Sequence, residues 1–515
     1  MTYKEGFLRI LFVASEVIAS EPMGILQLSA ICKNNGHETK LVTLDGNQIL
    51  KIAQDFKPHV IAYSAMTADI TAFKKADLKI QNLINSFPHK VLRIMGGPHP
   101  TYFKEVLNEM NLDAICVGEG DYAITKVLEK FKTGLPLVDI PNILSKDQSE
   151  LIKELPSELD DLPFADRDIL YDYLPHYQYI GLRSFVTARG CAFNCSYCYV
   201  HAYNEMFKGY GDVVRRRSPD DVISEIKEVI TRYPQARLIR FADDTFIYNV
   251  NEWFLEFSQK YKEQIGLPFY CLMRSNTFTE EIAKILADMG CIAVGMSIES
   301  GDAKMRSRIL KRYIPDKTIK ASFDIAKKYG INTYANTMLA LPGGSLEDDF
   351  NSFRFARDLK VTAPTYSVFC PYPGLQLTNY ALENGYLEEG FNYENKYGSP
   401  SVLNCYTDKE KNIQVRLQHL GPMFTVLPKF LSPLLYLLVK LPLTALYHKI
   451  GALFEVFILS TKVFRGIYPK NPIIFAKIAL DSIKYAHKSA DENEGSRMAP
   501  ILNLEGGPSR DIKKG

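Results

Sequence analysis

Apolar and polar positions along this chain follow two periods, and the alternation between them marks out the elements. Up to about residue 145, short apolar runs fall at 8–14, 40–44, 59–64, 91–97 and 113–118. Runs of this length, rich in Val, Ile and Leu, predict strands buried on both faces. Amphipathic stretches such as 72–85 separate them. Strands alternating with helices predict a doubly wound parallel sheet, which binds ligands beyond the carboxyl ends of its strands. The glycine clusters Gly96-Gly97-Pro98-His99 and Gly118-Glu119-Gly120 fall at such ends.

A second alternation runs from 183 to about 375. It predicts strands at 183–187, 237–241, 268–271, 291–298, 332–341 and 362–369, and helices at 219–232, 250–263, 278–289, 316–329 and 345–358. Six βα units suit an open sheet or a partial barrel, and periodicity does not choose between them. Between the two alternations, residues 146–182 read as a linker punctuated by Pro156 and Pro163, too apolar for a solvated tether and suited to draping over a domain junction. Beyond 400 the pattern turns helical. Segment 421–459 is strongly apolar but broken by Pro422, Pro428, Pro433 and Pro442. The expected plan is an N-terminal domain at 1–145, a linker at 146–182, a second α/β domain at 183–400, a helical region at 401–490 and a polar, Gly-rich, disordered tail at 491–515.

With 515 residues the chain holds about three domains of ordinary size. Its 46% hydrophobic content builds cores without disulfide staples. A net charge of +2 leaves no overall footprint for nucleic acid. The nine cysteines are odd in number and only three cluster, which points to a reduced compartment and to metal rather than disulfides. The polar start predicts no signal peptide, and no uninterrupted apolar stretch is long enough for a membrane-spanning helix. A cytoplasmic location is the expectation.

The strongest chemistry lies in Arg189-Gly190-Cys191-Ala192-Phe193-Asn194-Cys195-Ser196-Tyr197-Cys198, just after a strand. Three thiolates from one loop can wrap a [4Fe–4S] cube and leave one iron open to an exogenous ligand. The competing reading is structural zinc, with His201 completing a Cys3His set.

This Cys-x3-Cys-x2-Cys run, with Tyr197 before its last cysteine, resembles the signature of radical SAM enzymes. Further motifs follow in order, each at a strand end. Phe241-Ala242-Asp243-Asp244-Thr245-Phe246 resembles the family's acidic turn, which implies that Asp243 and Asp244 face the methionine amino group of S-adenosylmethionine (SAM). Val294-Gly295-Met296-Ser297-Ile298-Glu299 resembles the strand end whose groups, here Ser297 and Glu299, lie near the SAM ribose and carboxylate. Leu341-Pro342-Gly343-Gly344 resembles a Gly-Leu-Pro-Gly turn, with Ala340 in place of the first glycine. The resemblance implies a partial (β/α)6 TIM-type barrel with cluster ligands Cys191, Cys195 and Cys198.

The first domain resembles the Rossmann-like cobalamin-binding domain fused ahead of many radical SAM domains. The resemblance rests on Pro22-Met23-Gly24, Gly36-His37, Ser64-Ala65-Met66-Thr67, Gly96-Gly97-Pro98-His99 and Gly118-Glu119-Gly120. It implies cofactor contacts from Ser64, Thr67, Gly96, Gly97, His99, Gly118, Glu119 and Gly120. No Asp-x-His-x-x-Gly motif is present, so the implied cobalamin is bound without a histidine beneath the cobalt. The competing reading is a domain that only packs on the barrel.

The family's chemistry implies reductive cleavage of SAM, hydrogen abstraction from an unactivated C–H bond, and methyl transfer or a related cyclisation. The implied partners are a flavodoxin or ferredoxin as reductant and a small-molecule or lipid-like substrate. Residues 421–490 interleave nine cations, among them Lys429, Lys440, Lys449, Lys462 and Arg465, with Leu, Phe and Tyr, against Glu455 and Asp481 as the only acids. That pattern suits peripheral contact at the inner membrane face, or a helical cap on the barrel. A non-enzymatic metal protein docking at membranes is the remaining class. A tRNA methylthiotransferase is disfavoured, because the first domain has only Cys32 and Cys116 and no second cysteine trio.

Overall fold

The computed structural model describes residues 6–15, 21–44, 46–148, 150–391 and 399–468. The tail at 491–515 and the cations Lys470, Lys477, Lys484 and Lys488 lie outside the described residues.

The first sheet is built from β1 (Arg9–Ala14), β2 (Glu38–Thr43), β3 (Val60–Ser64), β4 (Leu92–Gly96), β5 (Ala114–Cys116) and β6 (Ile143–Ser145). Its order is β2-β1-β3-β4-β5-β6. All neighbours are parallel except β6, which pairs antiparallel with β5 at the start of the expected linker. Helices α1 (Met23–Asn34), α2 (Gly46–Phe56), α3 (Ile70–Ile84), the short α4 (Pro98–Tyr102) and α5 (Val106–Glu109), and α6 (Asp121–Thr133) connect the strands. The two-residue period of β1 shows why both faces had to be apolar. Ile10 and Phe12 enter the core with α1 and α6, while Leu11 and Val13 enter the core with α2 and α3. The linker carries α7 (Asp168–Tyr173) and is pinned to α1, where Asp166 Oδ2 accepts from Ser29 Oγ at 2.6 Å and pairs with Lys33 at 2.8 Å.

The second sheet takes β7 (Leu182–Phe185), then, past a two-residue hairpin of β8 (Ala188–Arg189) and β9 (Arg215–Arg216), β10 (Leu238–Phe241), β11 (Phe269–Leu272), β12 (Cys291–Gly295), β13 (Asn332–Leu339) and β14 (Ala363–Val368). The order β14-β13-β12-β11-β10-β7 is sequential and all-parallel, the first and last strands do not pair, and the connecting helices pack in one core on one face of the sheet, the arrangement of a partial barrel. Its helices are α8 (Tyr199–Met206), α9 (Pro219–Arg232), α10 (Glu252–Gln264), α11 (Glu280–Asp288), α12 (Asp316–Lys328), α13 (Leu346–Asp358) and α14 (Gln376–Glu383). Side-chain caps at Ser218, Asn251, Thr279 and Ser345 start α9, α10, α11 and α13.

The helical region holds α15 (Asp408–Val426), α16 (Ser432–Leu438) and α17 (Thr444–Ile458). α15 covers the free edge of β14: Val368 N donates to Gln418 Oε1 at 3.2 Å, and the Tyr366 and Thr425 hydroxyls meet at 2.8 Å. The region is therefore a packed cap on its inner side. Its outer side leaves Phe430 78%, Leu437 59%, Leu453 56% and Phe457 61% exposed. No described helix is long and apolar enough to cross a membrane.

Candidate active site

The cysteine loop leaves the β8–β9 hairpin, crosses the carboxyl ends of the second sheet and returns as α8. Gly190 makes that crossing at φ +89; a Cβ there would stand 1.9 Å from Val213 O, so no other residue fits. Cys195 is buried, while Cys191 and Cys198 are partly open. Arg274 Nη1 donates to Cys195 Sγ at 3.0 Å, and its guanidinium lies 4.0 Å over the Phe193 ring. Thr245 Oγ1 lies 3.6 Å from Cys191 Sγ.

Among the described residues, no three His, Cys, Asp or Glu side chains form a group compact enough for a single metal ion. His201 is turned to Gln376, with Nε2 2.7 Å from its amide. The turn of His201 toward Gln376 disfavours Cys3His zinc, and three thiolates on one loop suit a cube, in which each would bind a separate iron.

The acidic turn divides in two. Asp243 is buried, and its Oδ1 accepts from Thr187 N at 2.8 Å, Thr187 Oγ1 at 3.2 Å and Ala188 N, with its Oδ2 unpartnered. It buckles the root of the cysteine loop to β10, and burial pushes its carboxyl up to about 6 against the pull of Arg216. Asp244 is exposed and lines the cavity beside the loop, so it alone of the pair faces the space that the resemblance assigned to both.

Glu299, four residues past β12, adopts φ +69, a strained conformation for a non-glycine residue. Its carboxylate is buried and accepts from Tyr197 Oη at 2.9 Å. Burial raises its pKa, opposed by the charge of Arg312. Arg312 Nη2 donates to Ser297 O at 2.7 Å. Tyr197, Ser297 and Glu299 thus meet beneath the cysteine loop. Ala340 adopts φ +56, which explains why a glycine suits that turn, and Asp349 Oδ1 anchors it by accepting from Ala340 N at 2.9 Å.

Two cavities lie between the sheets. One, of ≈ 410 Å³, runs among Phe12, Leu28, Ile94, Ile124 and Val127 and opens at Ser64, Gly96, Gly97, Gly118 and Gly120. The other, of ≈ 450 Å³, is walled by Tyr102, Tyr199, Val213 and Asp244 beside the cysteine loop. They share Gly97, Gly118, Glu119, Val186 and Arg189. An apolar recess leading to glycine turns and on to the cysteine loop fits a large ring with an apolar-walled tail.

Four residues expected as cofactor contacts are engaged by protein. Thr67 and His99 are buried against each other, with His99 Nδ1 3.4 Å from Thr67 Oγ1 and its ring stacked on Phe103 at 4.8 Å, and neither lines these cavities. Gly118, at φ +91, makes room for protein: a Cβ there would stand 2.5 Å from Phe207 Cζ. Glu119 spends its carboxylate on Arg189 Nη1 at 2.8 Å and on both terminal nitrogens of Arg215. Sequence reasoning missed Arg189, Arg215, Arg274 and Arg312. Arg274, two residues past β11, carried a signal, since it opens the polar run Arg274-Ser275-Asn276-Thr277 straight after an apolar strand.

The Radical SAM superfamily profile matches residues 185–356, and the B12 binding domain profile matches residues 13–128. The chain belongs to the cobalamin-dependent radical SAM enzymes. Its cofactors are accordingly a [4Fe–4S] cluster, SAM and cobalamin. An uncharacterized methyltransferase of Pyrococcus horikoshii is 28% identical over 383 residues, covering 71% of this chain and 79% of that one. Cytidylyl-2-hydroxyethylphosphonate methyltransferase of Streptomyces wedmorensis is 22% identical, also covering 71% and 79%. The fold matches that of the cobalamin-dependent radical enzyme OxsB, with a TM-score of 0.65 and 13% identity over 94% of this chain and 80% of the other. It also matches the methyltransferase TsrM of Kitasatospora setae, with a TM-score of 0.59 and 15% identity over 73% and 78%.

Proposed function

We propose that this enzyme transfers a methyl group from methylated cobalamin to an unactivated carbon of a small molecule. The observation that carries the reading is that Gly97, Gly118, Glu119, Val186 and Arg189 border both cavities, so that the glycine turns of the first domain and Gly190 at the root of the cysteine loop line adjoining space. When bound, the cluster supplies one electron for SAM cleavage, and cobalamin supplies a transferable methyl group. Cys191, Cys195 and Cys198 would hold the cluster, with the Arg274 guanidinium against Cys195. Tyr197, Asp244, Ser297 and Glu299 would orient SAM. Ser64, Gly96, Gly97 and Gly120 would admit cobalamin, with its tail in the apolar recess. A flavodoxin or ferredoxin is the proposed reductant. The test is anaerobic reconstitution. Iron and sulfide near four per chain, a base-off cobalamin spectrum and dithionite-dependent 5′-deoxyadenosine are expected. Retention of cluster without cobalamin would leave a radical SAM enzyme whose first domain only packs.

A second reading concerns location. The exposed stripe of Phe430, Leu437, Leu453 and Phe457 is flanked by exposed Lys440, Lys449, Lys462 and Arg465, and supports peripheral contact with an anionic bilayer. Flotation with anionic liposomes should fall when Leu437, Leu453 and Phe457 are changed to Gln. Equal flotation of both proteins would refute it.

A further inference from the structure

The concave side of the second sheet carries charges that nothing in the cofactor sites uses. Alternate residues of its strands face the helices: Ile239, Phe241, Phe269, Cys271, Val294 and Tyr366 all join that core. The intervening positions, Arg240, Tyr270, Tyr334, Asn336 and Ser367, face the other way. Toward the amino-terminal ends of the strands this concave side is closed by α17 and the turn after it. There Phe454, Ile458, Leu459 and Phe464 pack on Tyr270, Leu272 and Tyr334. The Tyr270 and Phe464 rings stand edge-on at 5.5 Å.

Glu455 follows Phe454 and precedes Ile458 by three, so it shares this inward face of α17. Gly451, one turn earlier on the same face, lies so close to α15 that a Cβ would stand 2.5 Å from His419 O. The Glu455 carboxylate is half-buried; burial is the main cause that raises the Tyr334 phenol, the Glu455 charge adds to it and the Arg240 charge opposes it. Among the described residues it has neither a hydrogen bond nor an ion pair. Burial raises its own pKa, with no compensating cation. Arg240, paired in register with Tyr270, is likewise without a salt bridge. A desolvated carboxylate without a partner destabilises the free protein and gains most from a cationic ligand.

The concave side also leads to the chemistry. Asn336 Nδ2 donates to Ser367 Oγ at 3.2 Å, one step along the strand from Tyr334. Glu299, held by Tyr197 of the cysteine loop, bridges to Thr337. Tyr334 to Thr337 spans three residues, about 10 Å of strand.

We propose that Glu455 is a positioning residue for the substrate: its carboxylate accepts hydrogen bonds from a protonated amine on a small molecule whose reacting carbon lies about 10 Å away, beneath the cysteine loop. The proposal rests on the radical methyl-transfer reading and adds the substrate class, a compact amine.

The test uses the full-length enzyme reconstituted with cluster, cobalamin and SAM, and two probes of matched length and opposite charge, hexylamine and hexanoate. Calorimetric titration should show hexylamine binding at least about tenfold tighter than hexanoate. E455Q should lose that preference, and E455D should retain part of it. Because E455Q removes an uncompensated charge, its melting temperature should equal or exceed that of the wild type, which separates lost binding from lost fold. Hexylamine affinity unchanged in E455Q would overturn the proposal. Tighter binding of hexanoate by the wild type would also overturn it and assign the chamber to Arg240. Absence of SAM cleavage by the wild type would refute the radical reading by itself, while the amine preference would still report on Glu455.

Discussion

Removing one charge at the junction of the two sheets gives the sharpest energetic test. Glu119 of the first domain is gripped by Arg189 and Arg215, which are direct partners across the β8–β9 hairpin of the second. Burial pushes the Glu119 carboxyl up, but the hydrogen bonds and charges of the two guanidiniums outweigh it and hold the pKa below the ordinary value. In Glu119→Gln, Arg189 keeps Asp121, which it holds through two bonds of 2.7 and 3.0 Å. Arg215, whose side chain is 5% exposed, keeps only Pro156 O at 2.8 Å and a neutral amide. Breaking a fully buried pair costs about 3–5 kcal/mol, so with these remaining acceptors a loss of about 2–3 kcal/mol is expected. Urea unfolding followed by tryptophan fluorescence measures it, and the cycle with Arg215→Gln should give a coupling of about 1–3 kcal/mol. Arg189 stands two residues before Cys191, so iron retention should fall as well. A Glu119→Gln protein within about 0.5 kcal/mol of the wild type, with full iron, would show that the clamp holds nothing.

Alanine at Cys191, Cys195 or Cys198 should abolish iron binding and 5′-deoxyadenosine formation, whereas alanine at Cys32, Cys116 or Cys405 should leave both; stoichiometric zinc without iron after anaerobic purification would contradict the assignment. Gly118→Ala should cost at least about 2 kcal/mol, adding a clash with Phe207 to left-handed strain, while Gly134→Ala, at φ +72 with open space around it, should show the strain alone in the same denaturation assay. Burial holds Asp349 up at about 7, opposed by hydrogen bonds from Ala340 and Gln414. The folded state therefore binds more protons than the unfolded one between about pH 4 and 7, and stability should fall through that window by up to roughly 1.4 kcal/mol per pH unit, then level off. Asp349→Asn should flatten that slope, since Gln414 has an unpartnered Oε1 with which to receive the new amide; an unchanged slope would refute the assignment to Asp349.

What could be read along the chain was what is local. The period of 8–14 or 237–241 is a property of one strand, and Ser218 or Ser345 caps the helix that follows it by accepting from a backbone N–H three residues on. Three cysteines within eight residues declare a cluster loop without reference to the rest of the fold, and the glycine turns of the first domain follow their own strands. The strand at 143–145 escaped because it is three residues long and pairs backwards onto β5.

The tertiary structure decided everything that depends on charges meeting across distance. Arg274 reaches Cys195 across 79 residues and Arg189 reaches Glu119 across 70, far beyond any helical or strand period. Asp243 and Asp244 are adjacent and chemically identical. Only the packing of Thr187 and Ala188 over β10 turns one inward as a buckle and leaves the other facing the cavity. His99 looked available in a glycine-rich turn until Phe103 and Thr67 enclosed it. The segment after 421 read as either membrane-facing or packed. It proved to have an apolar face on each side of α17, because one stripe meets the barrel while Leu453 and Phe457 meet solvent. The same helix packs Phe454 and Ile458 with Tyr334, a meeting across more than a hundred positions that no local pattern encodes, because burial and charge act through space while sequence periodicity reports only on the element in which it occurs.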